Sequence, residues 1–151
     1  MGKAIHRYGL IHDGDRILIG VSGGKDSLAL LHLLHERRGR VPIDYELIAV
    51  HIDLGFDSGR AEILKNFFEE KGLPYHIEFT EIGKRAHSPE NRENPCFLCS
   101  WERRKLTFQL AHQLKSKTLS SMFIIYDHGN ICVVWRSRQR GDKTNSYWLS
   151  I

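Results

Sequence analysis

Arg16-Ile17-Leu18-Ile19-Gly20-Val21 runs into Ser22-Gly23-Gly24-Lys25-Asp26-Ser27, an apolar, β-branched stretch that stops at a glycine turn. Upstream the stretch is bounded by Asp13-Gly14-Asp15, and its length and composition fit a buried strand. Beyond the turn, Leu28, Leu31 and Leu34 recur at helical spacing between Asp26 and Arg38, and Gly39 with Pro42 ends the segment. A strand, a glycine turn and a helix in that order present backbone N–H groups and the positive end of a helix dipole to a phosphate. Gly23 and Gly24 let the backbone approach closely, while Ser22 and Ser27 can add hydroxyl donors. Lys25 adds a mobile positive charge, and Asp26 a carboxylate suited to a Mg²⁺-bound water or to orienting the loop.

Outward from this stretch the same alternation continues. Glu46 to Ile52 is a second apolar run, and Arg60 to Lys71 forms a second helix with Ile63, Leu64, Phe67 and Phe68 on one side, closed by Gly72 and Pro74. Tyr75 to Phe79 alternates as a third strand. Gly83 to Pro95 is polar and reads as a loop, and Cys99 to Lys115 carries Trp101, Leu106, Phe108, Leu110, Ala111 and Leu114 in a third helix. Strands alternating with helices of this length predict an α/β fold, a doubly wound parallel sheet covered on both faces. Residues 116–151 break the pattern, with short apolar runs at Met122 to Tyr126 and Ile131 to Trp135 and no helix of adequate length.

Two commoner phosphate fingerprints do not fit. The Walker form needs a glycine where Ile19 stands and Ser or Thr where Asp26 stands, and Gly20-Val21-Ser22-Gly23 has the wrong spacing for G-x-G-x-x-G. Apart from a glycine-rich turn with an incidental lysine, what remains is Ser-Gly-Gly-Lys-Asp-Ser after an apolar strand, which resembles the PP-loop of the ATP pyrophosphatase superfamily. The resemblance implies a sheet of the adenine nucleotide alpha hydrolase-like type, ATP and Mg²⁺ as cofactors, and Lys25 and Asp26 as catalytic residues within the cradle Ser22–Ser27. It also implies a reaction in which ATP adenylates a carbonyl oxygen, pyrophosphate leaves, and a nucleophile displaces AMP. The second strand ends in His51-Ile52-Asp53-Leu54-Gly55-Phe56, at the edge where open α/β sheets bind ligands. By the same resemblance Asp53 holds the adenosine; a strand-end Asp is equally an ordinary turn former or helix cap.

Pro95-Cys96-Phe97-Leu98-Cys99 places two thiols one turn apart where a helix begins, a setting that favours the thiolate. Such a pair is half of a four-ligand metal site, a redox dithiol, or two partly buried cysteines. With Lys3-Ala4-Ile5, Gly14-Asp15-Arg16-Ile17-Leu18, the PP-loop and then Pro-Cys-x-x-Cys followed by Arg103-Arg104-Lys105, residues 1 to about 115 resemble the tRNA 2-thiocytidine synthetase family. This implies ATP-dependent thiolation of a tRNA cytidine with an iron–sulfur cluster, [4Fe–4S], of which Cys96 and Cys99 are two of three cysteine ligands. The implied partners are tRNA, a sulfur donor such as a cysteine desulfurase, and a homodimeric copy. The runners-up are another PP-loop tRNA-modifying ligase or sulfurtransferase with zinc or redox cysteines, and an inactive nucleotide-binding fragment. Arg103, Arg104 and Lys105 can contact RNA phosphate or form a solvated helix face.

The bulk properties agree. At 151 residues the chain suits one domain, and its 41% hydrophobic and 26% charged content is near average for a globular protein. No apolar run reaches the roughly 18 residues of a membrane span, and the N-terminus does not read as a signal peptide, so a soluble, cytoplasmic protein is expected. Three cysteines (Cys96, Cys99, Cys132) without an export signal suit thiols or metal ligands in a reducing compartment. The net charge of +4 is concentrated late: residues 1–115 hold 17 Lys+Arg against 16 Asp+Glu, and residues 116–151 hold five against two.

The expected organisation is therefore a PP-loop domain at residues 1–115, incomplete, and an atypical tail at residues 116–151. After Leu114 the family resemblance requires a fourth strand and a Gly-His-His-x-Asp-Asp type turn, and no such turn is present. A frameshift near residue 116 accounts for this, because codons allowed for Phe123-Ile124-Ile125 can encode His-His in another register. On this view the sheet lacks its fourth strand, and Cys132 is not assigned the third ligand role.

Overall fold

The computed structural model describes residues 11–56, 59–114, 121–127, 131–137 and 147–150, the last three segments as strands. Its elements are β1 (Asp15–Gly20), α1 (Lys25–Arg38), β2 (Tyr45–Asp53), α2 (Arg60–Glu70), β3 (Tyr75–Phe79), α3 (Ile82–Ala86), α4 (Pro95–Gln113), β4 (Ser121–Asp127), β5 (Ile131–Ser137) and β6 (Tyr147–Ser150). The strands form one sheet in the order β3-β2-β1-β4-β5-β6.

β1 lies parallel to β2 and to β4, and β2 lies parallel to β3. The α/β architecture read from the alternating pattern is the one observed. The expectation of a missing fourth strand is overturned, because Ser121–Asp127 pairs with β1 in parallel from Arg16↔Ser121 to Ile19↔Ile124. The apolar run there pairs with the open edge of β1 even though the family turn is absent. The sheet then departs from all-parallel pairing: β5 is antiparallel to β4, and β6 antiparallel to β5.

Pleat alternation splits the strand side chains between two cores. Ile17, Ile19, Tyr45, Leu47 and Ala49 pack with Leu31 and Leu34 of α1 and with Leu64 and Phe68 of α2. On the opposite face Leu18, Val50, Ile48 and Ile52 pack with Leu106, Leu110 and Ala111 in the C-terminal half of α4 and with Leu114 just past its end. Helices therefore cover both faces, the doubly wound arrangement. Tyr45 ties α1 down, its buried hydroxyl donating to Leu34 O at 2.7 Å. Burial pushes that phenol above its ordinary range, against a smaller opposing effect of Arg37 and Arg38.

Three local expectations change. Ile63 is 68% exposed, because the phase of α2 is set by Ala61, Leu64 and Phe68 on the sheet. The segment read as loop from Gly83 contains the short α3, too brief to show a period. α4 begins at Pro95 rather than Cys99 and buries Thr107, Leu110 and Ala111, leaving Trp101 and Phe108 exposed.

Candidate functional site

The parallel strands β3, β2, β1 and β4 all end at the same edge of the sheet. The chain begins at β1, moves outward to β3, and then crosses to β4 on the other side of β1. This reversal makes the end of β1 a topological switch point, where open α/β sheets leave a crevice.

The loop Val21–Gly24 occupies that point. Val21 N–H donates to Val50 O at 2.7 Å, and the carbonyl of Val21 receives the buried ring of His51 through Nδ1 at 2.7 Å. Strand β2 thus holds the start of the loop from both sides. Gly23 sits at φ +82°, in the left-handed region where only glycine is unstrained. Gly24 is the N-cap of α1 and supplies no side-chain cap, so the first amides of the helix have no side-chain acceptor at the cap. Ser22 and Ser27 close the loop on itself: Gly24 N–H reaches Ser22 Oγ at 3.4 Å, and Ser27 Oγ donates to Gly24 O at 2.9 Å. Ser27 is buried, so its hydroxyl braces the loop from inside. Lys25 and Asp26 are exposed in the first turn of α1. The result is a backbone cradle with an exposed cation at its lip, able to hold a polyphosphate.

Asp53 ends β2 beside this cradle. Its Oδ1 accepts Gly55 N–H at 2.7 Å, and its carbonyl accepts both the amide and the hydroxyl of Thr80, at 3.0 and 2.7 Å. One carboxylate oxygen therefore forms the turn, as a strand-end Asp commonly does. Gly55 lies so close to the segment after β3 that a Cβ would stand 2.6 Å from Thr80 O.

The cysteine pair lies in the first turn of α4. Asn94 caps this helix, its Oδ1 accepting the amides of Cys96 at 2.9 Å and Phe97 at 3.2 Å, and Pro95 takes the first helical position. Arg16 Nη1 donates to Leu114 O at 3.0 Å, fixing the far end of α4 near the start of β1. A 19-residue helix is about 28 Å long. Since α4 links the end of β3 to the start of β4, Cys96 and Cys99 stand toward the edge that carries the PP-loop. Cys96 is exposed and Cys99 half-buried. Burial pushes the Cys99 thiol up, with Arg103 opposing and Cys96 reinforcing. For Cys99 this reverses the expectation that the helix start favours thiolate: desolvation penalises the charged form more than the neighbouring cation helps it. Thiols suit an iron–sulfur cluster or zinc in kind. Among the described residues no group of three or more His, Cys, Asp or Glu comes together to hold a metal. Cys132 stands on β5 in register with Tyr126.

Of the basic residues, Lys105 lies 5.3 Å over the Trp101 ring, and Arg85 pairs with Glu102 across α3 and α4. Two residues that position this site carry different signals in the sequence. Asn94 had a readable signal, Asn-Pro before a helical segment. His51 has none, because it acts on a loop 30 residues away. No described helix is long and apolar enough to cross a membrane.

The PP-loop domain family matches residues 3–95. The tRNA-cytidine(32) 2-sulfurtransferase of Geotalea daltonii is 42% identical over 114 residues, 75% of this chain and 45% of that protein. The protein of the same name from Geobacter sulfurreducens is 38% identical over 123 residues, 80% of this chain and 47% of that protein. The chain thus spans about half the length of the curated relatives it matches. Among solved structures, the U34-tRNA thiolase NcsA from Methanococcus maripaludis with its [4Fe–4S] cluster superposes with a TM-score of 0.61 at 26% identity, covering 78% of this chain and 39% of that one. With the phosphate loop at the switch point of a doubly wound sheet and a family match over most of that region, the chain belongs to the PP-loop domain family.

Proposed function

We propose that this chain is the ATP-binding part of a tRNA-thiolating enzyme that forms 2-thiocytidine. One observation carries the reading: the PP-loop and the Cys96/Cys99 pair stand toward one edge of the sheet, and the relatives that match this region are named tRNA-cytidine sulfurtransferases. In this reading Ser22 to Ser27 cradle the ATP phosphates through backbone amides, and Lys25 draws charge off the phosphoryl oxygens. Asp26 would help to hold Mg²⁺, which when bound would neutralise phosphate charge, and the second oxygen of Asp53 faces the nucleoside. The cytidine carbonyl oxygen attacks the α-phosphorus, the α–β anhydride bond breaks and pyrophosphate departs. A sulfur nucleophile then attacks the activated carbon and AMP leaves with the original oxygen. An iron–sulfur cluster held in part by Cys96 and Cys99 supplies, when bound, thiophilic iron for sulfur delivery.

The proposed partners are tRNA, a sulfur donor such as a cysteine desulfurase, and a second copy of the chain, in the cytoplasm. Residues 1–115 are proposed as the incomplete PP-loop domain, and residues 116–151 as a tail altered by a frameshift. Translating the gene in its other two frames beyond residue 116 tests that division: a histidine pair followed by a later cysteine supports it, and two uninformative frames refute it.

The functional test is pyrophosphate release from ATP and Mg²⁺ by the whole chain in the presence of tRNA, with nucleoside mass spectrometry for thiocytidine and metal analysis after anaerobic purification. Iron with acid-labile sulfide and tRNA-dependent pyrophosphate release support the reading. Zinc instead of iron favours a PP-loop ligase with structural cysteines. ATP binding without turnover marks an inactive nucleotide-binding part.

A further inference from the structure

Arg60 opens α2 directly after Gly59, far from the PP-loop in sequence. In space its stem lies on that loop. A Cβ placed on Gly23 would stand 2.9 Å from Arg60 Cδ, 3.3 Å from Arg60 Cγ and 3.6 Å from Leu64 Cδ1. The guanidinium begins one bond beyond Cδ, about 1.5 Å, so its first nitrogen lies within reach of the cradle on a stem that is free to pivot. Arg16, Arg40 and Arg85 each take a carboxylate partner, respectively Glu46, Glu36 and Glu102. Arg60 is exposed, and no carboxylate among the described residues pairs with it. A surface arginine whose stem merely covers Leu64 would also be exposed; what separates Arg60 from that case is that its stem lies against Gly23 of the loop proposed to hold phosphate, with no carboxylate partner among the described residues.

The geometry points to Arg60 as a second phosphate-binding cation of this site, gripping the pyrophosphate half of ATP opposite Lys25. A planar guanidinium holds two phosphate oxygens in a fixed orientation, whereas an ammonium acts as a point charge. Lys25 can follow charge as it moves, and Arg60 keeps the departing pyrophosphate aligned. The proposal rests on the phosphate-loop reading and adds to it a contact made by a different element, α2.

The test uses the whole chain and measures binding of Mg²⁺-ATP, pyrophosphate and AMP by equilibrium dialysis, with far-UV circular dichroism and thermal melting on each variant. Arg60→Ala is expected to weaken ATP and pyrophosphate about tenfold, to leave AMP and the melt unchanged, and Arg60→Lys to recover part of the loss. Arg40→Ala, which removes an exposed arginine just past α1 that pairs with Glu36, is expected to change none of these. Wild-type chain that binds neither ATP nor pyrophosphate overturns the phosphate-loop reading and Arg60 with it. Wild type that binds both while Arg60→Ala binds them equally well overturns Arg60 alone, as does an equal loss of AMP affinity or a lowered melt, either of which marks a structural role.

Discussion

Replacing Gly23 by Ala tests the shape of the phosphate loop directly. The residue sits at φ +82°, and a side chain there would be strained whatever room it had. Holding an L-residue in that region costs about 1–2 kcal/mol. The new methyl would also meet Arg60 Cδ at 2.9 Å, but Arg60 is exposed and its flexible stem can swing aside, whereas Leu64 Cδ1 at 3.6 Å is at ordinary contact distance. The backbone therefore carries nearly the whole loss, about 1–2 kcal/mol. With a urea m-value of about 2 kcal/mol/M, the unfolding midpoint falls by roughly 0.5–1 M. Gly24 is the internal control. Its φ of −78° and ψ of 155° are ordinary for any residue, and a Cβ would lie 3.5 Å from Ser22 Oγ. Gly24→Ala gains unfolded-state entropy and loses a little at the cap, so its net change stays within about 0.5 kcal/mol. Urea melts followed by circular dichroism read both. Equal losses in the two variants, or none in Gly23→Ala, would refute the left-handed loop and the contact with α2 built on it.

Other outcomes follow from the same contacts. Asn94→Ala removes the acceptor for the amides of Cys96 and Phe97 and should cost about 0.5–2 kcal/mol in urea unfolding, with weaker iron or zinc retention in the same variant because the first turn of α4 frays. His51→Ala leaves the Val21 carbonyl without its imidazole donor and should cost about 1–3 kcal/mol, measured the same way; a neutral result would mean that this bond does not anchor the loop. Because burial raises the Cys99 pKa, the neutral thiol persists to higher pH in the folded chain than in the unfolded one. Alkylation of Cys99 by iodoacetamide, followed by peptide mass spectrometry, should therefore rise with pH along a curve displaced upward from that of the urea-unfolded chain. Coincident curves would show that Cys99 is not desolvated.

Much of this protein could be read from local pattern. Ser22 to Ser27 between an apolar run and a leucine-spaced helix specify the strand–glycine turn–helix unit of a PP-loop, because strand period, helix period and glycine turns are each written within a few residues. The parallel α/β core followed from the same alternation, and the Cys-x-x-Cys pair was visible from its spacing. Tertiary structure decided what depends on contacts between distant segments. The apolar run Met122 to Tyr126 became a fourth parallel strand because β1 offered an open edge, a fact that no window around residue 122 contains. Packing turned Ile63, Trp101 and Phe108 outward, since the phase of α2 and α4 is set by the side of each helix that meets the sheet. Burial pushed Cys99 up where its helix position alone suggested the reverse. His51 and Arg60 came to bear on a loop more than two dozen residues away. Sequence spacing sets where backbone amides can face a phosphate; only the folded chain brings a second strand and a second helix up to them.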